Sequence, residues 1–139
     1  MELRSLGYRS QLIFTAFDGK AVDRGDHWAI HTLSNPNFFW GNLLVFDRPP
    51  RHGDFAGWTQ TFKNEFTNPK IHHITLAWDS ADGTIGDVDE FIKNGFTLEA
   101  TAVLSASSVT RPSKFNSDLE VRGLETESEW EEMIRVQVA

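Results

Sequence analysis

Residues 38–66 read FFWGNLLVFDRPPRHGDFAGWTQTFKNEF, and this stretch decides the fold. Phe38 to Phe46 is apolar and aromatic on both alternating faces, the pattern of a central strand covered on both sides. Asp47 to Gly53 follows, and its Pro49-Pro50 pair excludes a helix interior or a central strand. Asp54 is a residue type that caps a helix N-terminus. Behind it Phe55, Trp58, Phe62 and Phe66 recur at helical spacing, which lays one aromatic stripe along a helix from Asp54 to Phe66. A helix resting on a sheet needs such a stripe for its core, so core packing rather than a ligand platform is expected of it. Asn68-Pro69 ends the helix. Strand, loop and helix in that order predict that the next strand returns parallel to the first, through a right-handed crossover.

Upstream, His27 to Leu33 alternates, with Trp28, Ile30 and Thr32 on one face, and reads as a strand closed by the turn Ser34-Asn35-Pro36-Asn37. Downstream, Ile71 to Trp78 is a second β-rich run that ends before Asp82-Gly83. Asp87 to Asn94 reads as a short helix, with Val88, Phe91 and Ile92 on one face and Gly95 at the position after the cap. Phe96 to Val109 alternates again and reads as a long strand. Ser105 to Ser117 is the most polar stretch and reads as linker. Leu119 to Leu124 reads as a strand, and Thr126-Glu127-Ser128-Glu129 as a capping box that opens a helix bearing Trp130, Met133 and Ile134. Strands alternating with helices indicate an α/β or α+β fold with helices covering a sheet.

A chain of 139 residues suits one domain with a single core. It contains no cysteine, which excludes disulfides, thiolate metal sites and a cysteine nucleophile. A net charge of -7 speaks against a nucleic-acid partner, because phosphate binding needs clustered Lys and Arg. The charge is uneven: residues 1–70 are nearly neutral, whereas residues 71–139 hold thirteen Asp/Glu against five Lys/Arg. No apolar run approaches the ~20 residues of a membrane span, and Met1 to Ser5 does not open as a signal peptide, so no membrane partner and a cytoplasmic location are expected.

Metal chemistry is not expected either. His27 and His31 would lie two pleats apart on a strand, and His72 and His73 would point to opposite faces. Asp79, Asp82, Asp87, Asp89 and Glu90 do not fit a calcium-loop spacing. No nucleophile motif such as G-x-S-x-G occurs.

Two segments carry a family resemblance. Phe91-Ile92-Lys93-Asn94-Gly95-Phe96, between a short helix and a strand, resembles the F-Y-x-x-x-G-F segment of the GNAT superfamily of N-acetyltransferases. The order around it is similar to the cofactor-binding half of that fold: strand 38–46, loop, helix 54–66, strand 71–78, short helix. This resemblance covers residues 27–110. Leu119-Glu120-Val121-Arg122-Gly123-Leu124 followed by Thr126-x-x-Glu129-Trp130 resembles the first strand and helix of another such domain. The resemblance implies a mixed, mostly antiparallel sheet with a central parallel strand pair, flanked by helices. It implies a divergent acetyltransferase-like domain at 1–110, a linker at 111–118, and the opening of a second unit at 119–139.

By the same resemblance the cofactor is acetyl-CoA, the acyl donor to an amine acceptor. Its pantetheine arm would lie along Leu44 and Phe46, and its pyrophosphate at Arg48, Arg51, His52 and Gly53, where a helix N-terminus offers free N–H groups. Three departures bear on this. Pro49 and Pro50 lack two N–H donors, the family's glycine pair is missing, and Asp54 adds negative charge where phosphate would sit. Phe91 stands where the family carries its proton-donating tyrosine, so the unit is not expected to catalyse transfer alone, and no catalytic acid or base is assigned. The partner would be a second acetyltransferase domain or a second copy. The competing readings are a non-catalytic structural or substrate-gating module and a small-molecule binding protein.

Overall fold

In the computed structural model, residues 1–108, 110, 111, 113, 114, 116, 118 and 122–138 are described. The elements are α1 (Leu6–Asp18), β1 (Gly19–Asp23), β2 (His27–Thr32), a 3-10 turn (Phe39–Gly41), β3 (Leu43–Phe46), α2 (Asp54–Glu65), β4 (Leu76–Trp78), α3 (Asp89–Lys93) and α4 (Glu127–Val138). The chain divides after Leu104 into two units.

The first unit is built on a four-stranded mixed sheet in the order β1-β2-β3-β4. β1 and β2 are antiparallel, as are β2 and β3. β3 and β4 are parallel, with Leu44, Val45 and Phe46 opposite Leu76, Ala77 and Trp78, as the crossover through α2 requires. The period of two along each strand divides the core into two layers. Ala29, Leu44 and Phe46 face α2 and meet Trp58, Phe62, Phe66 and Phe91. Ile30, Leu43, Val45 and Ala77 face α1 and meet Leu3, Tyr8 and Leu12. The aromatic stripe of α2 is therefore core: Phe46 stacks on Trp58 at 3.8 Å and Phe62 on Phe66 at 4.3 Å.

Several expectations are corrected. The strand expected over Phe38–Phe46 begins only at Leu43, because Phe39–Gly41 forms the 3-10 turn. Asn42 is the cause. Its buried amide donates to the carbonyls of Asn35 and Phe38 and accepts from the N–H of Thr32, which bends the chain before the strand. Phe39 and Trp40 therefore do not face opposite sides of one strand. The run from Ile71 pairs only at Leu76–Trp78. No strand forms over the described part of Phe96–Val109. Its more apolar face, Leu98, Ala100, Ala102 and Leu104, is alanine at its centre, so pairing there would bury only a modest apolar surface. Asp54 is the first helical residue of α2, and Gly53 (φ 83°) holds the cap position.

Residues 1–26 hold two elements the periodicity did not reveal. α1 starts at Ser5, whose hydroxyl accepts from the N–H of Gly7, and β1 follows without a loop. Asp79, which is fully buried at the end of β4, anchors this start: its carboxylate accepts from the N–H groups of Arg4 (2.6 Å) and Ser5 (2.9 Å).

In the second unit, α4 opens on the expected capping box. The N–H of Glu129 donates to the Thr126 hydroxyl, and the Glu129 carboxylate accepts from the N–H of Thr126. Of the strand expected at Leu119–Leu124, Leu119–Val121 lie outside the described residues and Arg122–Leu124 form no strand. Among the described residues no helix is long and apolar enough to cross a membrane.

Candidate functional site

The loop from Asp47 to Gly53 carries the chain from the C-terminal end of β3 to the N-terminus of α2. Parallel pairing puts the end of β4 beside it, so loop, strand ends and helix N-terminus meet at one edge of the sheet. In open α/β sheets ligands gather outside the C-terminal ends of parallel strands, the position this loop takes beside the β3–β4 pair. The loop is braced from behind. The N–H of Asp87 donates to the Pro50 carbonyl at 2.8 Å, and Gly86 (φ 80°) packs so closely that a Cβ there would lie 2.4 Å from the same oxygen.

Inside the loop one carboxylate gathers the donors. Asp54 accepts from the Arg48 guanidinium at 2.5 Å and from the N–H of Arg51 at 2.7 Å. The guanidinium beside it holds the Asp54 carboxyl below the usual carboxylate range, and Arg48 is raised in turn. Arg48 also lies over the Trp58 ring at 5.8 Å. An N–H and a guanidinium at a helix N-terminus are the donors that bind an anion, and here the protein's own carboxylate has taken them.

The residues expected at a cofactor site do not all converge. Arg48, Arg51 and Gly53 come together around Asp54. His52 points outward, 90% exposed, with Nδ1 3.5 Å from Asp87. Leu44 and Phe46 are buried between the sheet and α2. β3 and β4 stay hydrogen-bonded to their ends, where the N–H of Asp79 donates to the Phe46 carbonyl at 2.8 Å.

Next to the loop lies a cleft of about 1030 Å³, lined by Tyr8, Pro50, Trp58, Trp78 and Phe91 and by the segment after Phe96. Pro50 of the loop and Trp58, the ring under Arg48, both line the cleft. Tyr8 is the chain's one tyrosine. Burial, with the Asp79 charge second, raises its pKa, which keeps the hydroxyl protonated. Sequence reasoning missed Tyr8 and Asp79. Ser5 as a cap followed by Tyr8 and Leu12 four apart was the available signal for the first. Asp79 left none, because its partners are backbone N–H groups 74 and 75 residues away.

Among the described residues no three His, Asp or Glu side chains converge as metal ligands. His27 and His31 share the α2 face of β2, but His27 pairs with Asp26 and His31 with Glu65. No family model, no curated protein and no solved structure matches the chain.

Proposed function

We propose that the chain is a divergent N-terminal part of an acetyl-CoA-dependent N-acyltransferase, and that residues 1–104 serve it as a non-catalytic module. The first half of this reading rests on element order. Three strands run antiparallel, a loop and α2 follow the third, β4 returns parallel, and α3 closes on Gly95-Phe96. That order resembles the cofactor-binding half of the GNAT fold. Fold likeness alone does not fix an activity, so the loop decides the role.

The single observation behind the non-catalytic role is Asp54. A pyrophosphate would need the Arg51 N–H and the Arg48 guanidinium, and Asp54 holds both. A bound dianion would have to displace that carboxylate and sit beside its charge. The role left to the unit is to support or gate the acceptor side of a following domain that carries the cofactor.

Calorimetric titration with acetyl-CoA tests this. The 139-residue chain is expected to bind more weakly than millimolar. Asp54→Ala, which frees both donors, is expected to bind more tightly than the wild type. Micromolar binding by the wild type would overturn the non-catalytic role. The reading frame beyond Ala139 tests the first half: a second acetyltransferase-like domain there supports it, and a stop codon there overturns it.

The cleft favours a second reading, a binding protein for a small apolar molecule. Its Tyr8, Trp58, Trp78 and Phe91 walls are of the kind that enclose such ligands. A ligand bound there would change tryptophan fluorescence, and Trp78→Ala would weaken the change.

A further inference from the structure

Helix α1 is apolar on two opposite faces. Tyr8 and Leu12 pack toward the sheet. By helical spacing Leu6, Ile13 and Phe17 lie on the opposite side with Phe14 beside them, and they are 55%, 63%, 86% and 70% exposed. Leu33, 80% exposed, stands at the C-terminal end of the helix, where the Ser34 hydroxyl donates to Asp18. Ser10 is the one polar residue inside this stripe, and Arg9 borders it.

An apolar helix face is normally a buried one. These five side chains present roughly 700 Å² of apolar surface, at about 200 Å² for a large side chain fully exposed. The largest apolar patch of a typical monomer is about 300–600 Å². A standard interface takes about 800 Å² from each partner. The stripe with its polar border therefore has the size of one side of a stable dimer.

We propose that the outward face of α1 pairs with the same face of a second copy of this chain. Charge favours that occupant. The chain carries -7, all of the excess beyond residue 70, so two copies repel where their acidic surfaces approach. This face contains no charged residue, and it meets its own image without a like-charge penalty. A twofold axis makes the contact self-complementary and closed. The inference does not depend on the reading of the Asp54 loop.

Sedimentation velocity on the 139-residue chain is expected to show a dimer at micromolar concentration. Phe17→Glu is expected to shift it to monomer with its circular dichroism unchanged, since Phe17 is not a core residue. The absence of cysteine supplies a second probe. Ser10→Cys places a single thiol in the stripe near the proposed axis, and mild oxidation is expected to give a covalent dimer. A monomeric wild type would overturn the proposal. So would a dimer that survives Phe17→Glu and does not cross-link through residue 10. A monomer destabilised by Phe17→Glu would assign the face to the chain's own residues, and that also overturns it.

Discussion

His27 holds Nδ1 2.7 Å from the Asp26 carboxylate, while its buried Nε2 has no partner among the described residues. A buried polar atom without a partner costs about 1–3 kcal/mol. The ring also packs on Phe46 at 5.4 Å. His27→Phe keeps the ring and removes the orphan nitrogen, so urea denaturation is expected to show equal or higher stability. A loss above about 2 kcal/mol would mean that the nitrogen has an essential partner. Asp79 is the opposite case, a buried carboxylate whose contacts are made. Asp79→Ala strands the N–H groups of Arg4 and Ser5 and is expected to cost about 3 kcal/mol in the same measurement. Glu65 sets an acid limit. Its carboxylate meets Arg24 at 2.6 Å and His31 at 3.2 Å, and the Arg24 hydrogen bond lowers it from its ordinary 4.5. A carboxyl lowered in the folded state stabilises above its unfolded value and loses that contribution as pH falls through the folded one. Wild type and Glu65→Gln are therefore expected to differ by about 1 kcal/mol at neutral pH and to converge in acid below 4.5, followed by thermal melts across that range.

Helix α3 shows how far an element can be read from sequence. Gly95 was expected just past its end, and there it has φ 87°. The N–H of Phe96 donates to the Phe91 carbonyl and that of Gly95 to the Ile92 carbonyl, while the Phe91 and Phe96 rings meet edge to face at 5.8 Å. This is the Schellman end with its hydrophobic contact. A Cβ on Gly95 would touch nothing, so Gly95→Ala is expected to cost only the left-handed backbone term, about 1–2 kcal/mol. Gly86→Ala adds a clash with the Pro50 carbonyl and is expected to cost more, with chemical denaturation ranking the two. α2, β2 and the α4 capping box were legible for the same reason: their signals are local and periodic. α1 was not. Its two apolar faces cancel the one-sided pattern by which a surface helix is recognised. The early end of the Phe38–Phe46 run was hidden as well, because Asn42 bends it through partners at 32, 35 and 38. The loop could be read for its residue types, but only the fold shows Arg48 turned onto Asp54.

At the scale of the whole molecule, the division after Leu104 and the charge pattern bear on each other. Seven of the chain's acids lie at or beyond Asp118, and α4 carries Glu127 and Glu129 in its first turn, where a helix dipole favours them. Glu129 is lowered to about 2 by its Arg122 hydrogen bond first and by the N–H groups of Glu125 and Thr126 after it. Glu129 meets Arg122 and Glu132 meets Arg135, both pairs within the second unit. The sheet unit is equally self-contained in its core: every member of both hydrophobic layers lies at or before Phe96. Stability follows buried apolar area, so a chain ending at Leu104 is expected to keep the sheet unit's unfolding transition. Near-ultraviolet circular dichroism reads this directly, because Trp28, Trp58 and Trp78 all report from that unit. A melt of the shortened chain that stays within about 4–8 °C of the full chain, the equivalent of ~1 kcal/mol, supports two separable units. Loss of the transition would mean that residues 105–139 complete the core of the first unit, and the division of the chain into a sheet module and the opening of a second unit would fall with it.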